Sequence, residues 1–290
     1  MLRNWRSSPT IALVSLLAVT AIWGWTFLIV KQSISRMPVM DFLAVRFTVA
    51  TIVMLVLRPF SLRNMTRRGL WRAIVLGMVL GLAYITQTYG LLSASASVVG
   101  FITGMFVVLT PIVSWAWLHH KISRNTWLAV VLASIGLALL GLHGWSVGVG
   151  ELLTLGCAFF LAIHIVGLGK WSSQHEPYSF ALGQVAAVAI ISVAATAPGG
   201  ITMPPDTGIW VTVGITAVLA TALAFLVQTW AQSLLSPTQA AVVMTMEPVF
   251  AGIFAVVIGG EHLTLRIIGG AACVLAAMFI VQLKSAPHGK

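Results

Sequence analysis

The chain has 290 residues, of which 59% are hydrophobic and only 8% charged, and its mean hydropathy is +1.01. Soluble domains carry about 25% charged residues, and no soluble core of this length hides so much apolar surface, so lipid must be the solvent for much of the chain. The formal net charge of +10 comes with no basic, aromatic-interleaved surface, so it reads as Lys and Arg gathered in short cytoplasmic loops and not as a nucleic-acid footprint.

A spanning helix needs about 20 apolar residues. Runs of that kind occur at 10–30, 41–57, 73–92, 97–118, 126–143, 149–169, 179–197, 209–232, 238–259 and 264–283, which predicts ten transmembrane helices. The first run follows Arg3 and Arg6 as a signal peptide would. It exceeds an h-region of about 7–15 residues and lacks a small-x-small cleavage site, so it is predicted to be retained. It carries Trp23-Gly24-Trp25-Thr26. Adjacent helical residues point about 100° apart, so the two tryptophans cannot line one cavity equally. Arg46, in the second run, reads as nearer the outer interface, where its long side chain can snorkel.

In the third run Gly77 and Gly81 form a small-xxx-small pair that lets helix backbones touch, and Gly100–Gly104 and Gly144–Gly148 repeat that spacing. Tyr84, Gln87, Thr88 and Leu91 share one face at i, i+3, i+4 and i+7. Ser93–Ser97 and Leu234–Pro237 are tight enough to make helical hairpins of their flanking runs. Cys157 and Cys273 fall inside apolar runs, so neither a disulfide framework nor a Cys/His metal site is expected. His119-His120 beside Lys121 reads as a cytoplasmic helix end, whereas His164 sits mid-span in the sixth run. In the eighth, Thr221, Phe225, Gln228 and Gln232 form a second polar and aromatic face.

Glu247 is the sharpest signal. It lies nine residues into the ninth run, about 13 Å deep at 1.5 Å per residue. Asp41, Glu151, Glu176, Asp206 and Glu261 all fall at span ends or in loops. Pro248 follows it, and a loosened backbone survives at that depth only where it is buried in protein or lines a cavity. Met244 and Met246 flank the same turn. No GxSxG, HExxH, P-loop or paired carboxylate motif is present, so the chain is expected to be no enzyme and to hold no cofactor or metal.

With the N-terminus inside, 12 Lys and Arg face the cytoplasm and 3 face out, with Arg46 in the membrane. That imbalance puts both termini in the cytoplasm. The sequence also repeats. Gln87-Thr88-Tyr89 recurs as Gln228-Thr229-Trp230 at an offset of 141, where Tyr84 meets Phe225 and Ser95 meets Ser236. Arg46 meets Gln184, and Thr26 meets His164, at an offset of 138. Two halves, 1–145 and 146–290, would then have five spans each. An odd number inserts the second half upside down, the inverted-repeat plan of secondary transporters, which bind substrate near the midplane.

These stretches resemble the EamA type of the drug/metabolite transporter superfamily. The resemblance is carried by Trp23-Gly24 with Phe27 and Lys31, Arg46-Phe47, Gln87-Thr88-Tyr89-Gly90-Leu91, Gly100-Phe101-Ile102-Thr103-Gly104 with Pro111, Glu247-Pro248-Val249, and Glu261 before Leu263. Within that type the chain is most similar to amino-acid exporters of the YddG kind. The resemblance implies an all-α membrane fold of ten helices in an inverted 5+5 repeat, a central cavity and efflux of small metabolites. One departure is that the first half has His120 or Lys121 where the second has Glu261. The small multidrug relatives use a glutamate in their first helix; its absence here counts against cation-for-proton exchange of that design.

The candidate substrate residues are therefore Trp23, Thr26, Tyr84, Gln87, Thr88, His164, Phe225, Gln228, Met244 and Glu247. The expected function is export of neutral and aromatic amino acids across a bacterial inner membrane, with drug or lipophilic-cation efflux as the alternative. A channel would show polar rings along a pore, and a scaffold would need no mid-depth polar residues at all. The expected partners are the small substrate and the lipid bilayer; the sequence does not fix an oligomeric state, and a monomer suffices for a central cavity. The charge tally makes a direct prediction: with the native cysteines removed, a cysteine at Asn64 resists membrane-impermeant thiol reagents in intact cells, and ready labelling there reverses the orientation.

Overall fold

The protein is described by a computed structural model over residues 8–118, 124–143, 146–235, 240 and 243–283. Its helices are α1 (Pro9–Ile34), α2 (Val39–Leu57), α3 (Arg67–Ser93), α4 (Ala96–Thr103), α5 (Phe106–Leu118), α6 (Arg124–Gly141), α7 (Val149–Trp171), α8 (Pro177–Thr196), α9 (Thr207–Ala217), α10 (Ala224–Leu234), α11 (Met246–Val257) and α12 (Leu265–Leu283). The all-α expectation has one small exception, a two-residue antiparallel pair of Leu142–His143 with Ser146–Val147. Among the described residues seven segments are long and apolar enough to cross a membrane, and three shorter apolar helices, Trp127–Leu140, Met246–Val257 and Leu265–Ile280, accompany them. His119, His120, Lys121, Gly144 and the Ser236 and Pro237 half of the Leu234–Pro237 turn lie outside the described residues.

Several helices begin earlier than their apolar runs because polar first turns are helical too. Thr66 Oγ1 accepts from Gly69 N at 3.1 Å and starts α3 at Arg67, ahead of the run at 73. Asp206 caps α9 through Ile209 N at 3.1 Å, and Ser95 caps α4 through Val98 N at 3.3 Å. Each cap satisfies one of the backbone donors that a helix start leaves open.

The fourth and eighth runs, read as continuous, are interrupted. Between α4 and α5 the chain tightens at Gly104-Met105, where Val107 N bonds Gly104 O at 3.1 Å and Val108 N bonds Met105 O at 2.9 Å. Such three-residue steps are 3₁₀ geometry. Between α9 and α10 lies a π-helical turn, Val218–Leu223. The ninth run is interrupted as well: Thr245 is a turn residue and α11 begins at Met246. Pro248 therefore sits in a first helical turn, where its missing N–H costs nothing, and does not kink a helix interior.

The most extensive helix pairings are α3 with α7, α6 with α12, α2 with α8, α3 with α8, α1 with α11, α4 with α11, α5 with α7 and α1 with α10. Small residues set how close these can come. A Cβ on Gly77 would lie 2.5 Å from Gln184 O, and one on Gly100 would lie 2.5 Å from Ala251 Cβ. At Gly24 it would lie 2.6 Å from Phe250 Cβ. Gly156 in α7 has nothing within 4 Å of that position. Gly77→Ala is accordingly expected to lower the thermal midpoint in detergent through overpacking worth about 1–3 kcal/mol. Gly156→Ala is expected to leave it unchanged or raise it, since Gly in a helix interior costs roughly 0.5–1 kcal/mol relative to Ala.

Candidate functional site

A small cavity lies among α1, α2, α3, α5, α7, α10 and α11. α1 presents Trp23, Thr26, Phe27 and Val30 to it at helical spacing, α3 presents Tyr84, Gln87, Thr88 and Leu91, and α7 presents Cys157, Leu161, His164 and Ile165. Phe225 and Gln228 of α10, Arg46 of α2, Met244, and Glu247 in the first turn of α11 complete the polar and aromatic lining. The free space is about 50 Å³. One buried water needs roughly 10–15 Å³, and a void of about 150 Å³ is needed for a ring the size of benzene, so this conformation has room for a few waters only.

Phe225 is the centre of the aromatic wall. Its ring centroid lies 5.6 Å from that of Trp23, 6.0 Å from Tyr84 and 6.3 Å from His164. Trp23 Nε1 donates to Ala220 O at 2.9 Å, within the π-helical turn of the eighth span. Arg46 Nε donates to Thr221 Oγ1 of the same turn at 3.0 Å, and Thr221 Oγ1 in turn donates to Thr216 O at 2.8 Å. The Arg46 guanidinium stands 4.9 Å from the Tyr84 ring centroid. Thr221 engages Nε, and the Tyr84 side chain lies against the rest of the guanidinium.

The cavity thus holds a guanidinium and a carboxyl group that form no ion pair with each other. The ion pairs of the described residues are Arg36–Asp206 and Arg58–Glu176, both at span ends. Arg46 and Glu247 form none, and the Glu247 carboxyl has no hydrogen bond to any described residue. The remaining polar groups are partly bonded. Gln87 Nε2 donates to Thr103 Oγ1 at 3.3 Å. Thr26 and Thr88 hydroxyls donate to Trp23 O and Tyr84 O, each at 2.7 Å. His164 Nε2 lies 2.7 Å from Gln184 Oε1. Among the described residues no group of three or more His, Cys, Asp or Glu is placed to hold a metal ion.

A model of the EamA-like transporter family matches this chain twice, over residues 10–142 and 148–283. The chain belongs to the EamA-like transporter family. Its members are transporters, so this is a multi-pass membrane protein that moves small molecules and not an enzyme. A relative from Archaeoglobus fulgidus, itself known only as an uncharacterized transporter, is 33% identical over 272 residues, or 93% of this chain and 85% of the relative. A crystal structure described only as that of a protein aligns with a TM-score of 0.68 over 95% of this chain and 98% of its own. Their identity is 18%, so that likeness speaks to the fold alone.

All ten residues singled out from the sequence of this EamA chain line the one cavity. Of the Trp23-Trp25 pair it is Trp23 that does so. Two neighbours on the same predicted face do not. Thr221 is spent on Arg46 and Thr216, and the Gln232 amide is buried without a partner, its backbone carbonyl accepting from Ser172 Oγ at 3.1 Å. Arg46 is the main correction. It does not snorkel to the outer interface but is 2% exposed and faces the cavity. It is the eighth of nineteen residues in α2, a mid-span depth at which an arginine is a functional signal by default. Gln184, the partner of His164, was likewise legible only as a repeat position.

Beyond the cavity, one end of the cavity helices is tied together. Lys31 Nζ donates to Ala94 O at 2.5 Å. The Glu261 carboxylate accepts from Ala96 N at 2.9 Å, Ser97 N at 3.3 Å and Ser97 Oγ at 2.5 Å, so the loop after α11 caps the start of α4. Glu261→Ala removes all three bonds. It is expected to lower the thermal midpoint in detergent by the equivalent of about 1–2 kcal/mol, the usual cost of a lost helix cap, whereas Glu261→Gln should recover part of that loss.

Proposed function

We propose that this EamA transporter exports zwitterionic amino acids, neutral and aromatic, by alternating access through the central cavity. The observation that carries the reading is the unpaired presence of Arg46 and Glu247 in one cavity. A guanidinium and a carboxyl group left unpaired at mid-depth are costly unless something satisfies both. An amino acid does so with its carboxylate on Arg46 and its ammonium on Glu247. The aromatic wall of Trp23, Tyr84 and Phe225 accepts varied side chains without demanding one shape.

The architecture we propose is ten spans in an inverted 5+5 repeat, with halves at 1–145 and 146–290 and both termini in the cytoplasm of a bacterial inner membrane. Support comes from the pairings, which keep their pattern when the halves are exchanged. α3 on α7 corresponds to the eighth span on α1, α1 on α11 to the fourth span on α7, and α2 on α8 and α6 on α12 to themselves. The two interruptions at Gly104 and Thr245 are also 141 residues apart. Discontinuous helices at equivalent places around a midplane site are what this transporter plan uses. A cavity with room for only a few waters is read as an occluded state, so loading requires helices to part.

The second reading, efflux of a lipophilic cation, draws on Glu247 and the same aromatic wall, but Arg46 would repel such a ligand. Flux through purified protein in proteoliposomes separates them. Unlabelled neutral and aromatic amino acids are expected to slow each other's transport. Arg46→Gln and Glu247→Gln are each expected to lower amino-acid flux at low substrate at least about tenfold, the effect of losing one charged contact worth 1.5–3 kcal/mol. Carriage of a lipophilic cation without mutual competition among amino acids would sink the amino-acid reading.

A further inference from the structure

Gln184 reveals which way the His164 ring is protonated. The Gln184 amide nitrogen donates to Phe180 O at 3.0 Å, so the atom it turns toward His164 Nε2, 2.7 Å away, is its oxygen. An amide oxygen only accepts, so Nε2 carries the ring hydrogen. In the neutral ring Nδ1 is then a bare lone pair. Nδ1 is buried and has no hydrogen-bond partner, on a ring that lines the cavity. Gln228, on the same wall, has an amide oxygen that is also buried and unbonded. The Glu247 carboxyl, on the same wall, has no hydrogen bond from any described residue and offers a further acceptor. Buried acceptors left open by the protein are costly, and a ligand that brings hydrogens removes that cost.

We propose that His164 Nδ1, held as an acceptor by Gln184, receives a hydrogen of the substrate's ammonium group, with Gln228 and Glu247 receiving the others, so that the cavity selects free primary amines. This rests on the amino-acid reading above and sharpens it. An ammonium brings three N–H donors to the three acceptors. An α-hydroxy acid brings one, and an N-acetylated amino acid brings one on a bulkier, uncharged nitrogen. Gln184 is a positioning residue: it is absent from the cavity lining and acts by fixing the imidazole tautomer.

The test is competition against labelled phenylalanine flux in proteoliposomes, using phenylalanine, its N-acetyl derivative and its α-hydroxy analogue as inhibitors. On the wild-type protein both analogues are expected to compete at least about tenfold more weakly than the amino acid, as a lost buried hydrogen bond implies. His164→Gln keeps a group within reach of Gln184 but has no acceptor at Nδ1. It is expected to weaken phenylalanine about tenfold and to erase the preference over the analogues. His164→Asn places an amide oxygen where Nδ1 stood and is expected to retain most of the preference. Gln184→Leu leaves the cavity wall intact and should blunt the preference by freeing the tautomer. Equal competition by all three compounds on the wild-type protein overturns the proposal, and so do equal effects of His164→Gln and His164→Asn. Absence of any amino-acid flux in wild type, with a lipophilic cation carried, overturns the transport reading first and this one with it.

Discussion

Hydrocarbon offers no hydrogen bonds, so every backbone N–H and C=O at membrane depth must find its partner within the protein. Regular helix meets that demand almost everywhere here. Among the described residues the departures from it within apolar runs are the tight step at Gly104-Met105, the π-helical turn Val218–Leu223, and Thr245 before α11. Each belongs to a span that borders the central cavity, where protein side chains can answer for irregular backbone. Trp23 does this for Ala220 O. A regular helix would have spent that carbonyl internally, so the widened turn and the indole that reaches it are one device.

The same turn positions charge. Thr221 sits where the chain is widened, donates its hydroxyl to Thr216 O five residues back, and offers its oxygen to Arg46 Nε. Tyr84 lies against the guanidinium, and Phe225 ties Tyr84 to Trp23 and His164. An arginine can persist inside a membrane protein when one face is spread over an aromatic ring and one nitrogen is bonded. Glu247 is held differently, in the first turn of α11, with no ion-pair partner among the described residues. Two unrelated local structures therefore hold a basic and an acidic group around one small volume without pairing them.

Much of this was legible in the sequence because lipid imposes simple patterns. Apolar runs marked the long helices, and Gln87, His164, Gln228 and Glu247 could be picked out by their depth, helical spacing and repeat positions. Arg46 was misjudged because a long cationic side chain near a helix third suits either an interface or an interior, and only the packing of α2 against α8 and the eighth span decides between them. The breaks in the fourth and eighth spans left no mark in hydropathy, since Gly104, Met105 and Val218–Leu223 are as hydrophobic as a helix would be. Gln184 was visible only as the repeat counterpart of Arg46; its bond to His164 depends on how α7 meets α8, which no local pattern encodes. The Glu261 cap on α4 joins residues 164 and 165 positions apart and was equally out of reach.

The glycines that let α1 settle on α11 and α3 on α8 have a consequence beyond stability. They hold the helices around the cavity so close that the space between them has room for only a few waters. Any ligand then binds only the fraction of molecules in which those helices have separated, and the dissociation constant an experimenter measures is the intrinsic one divided by that fraction. Helix packing that the ligand never touches enters the affinity on equal terms with the contacts the ligand makes. A residue such as Gly24, which touches no substrate, tunes how tightly the protein holds one by setting how often the door stands ajar.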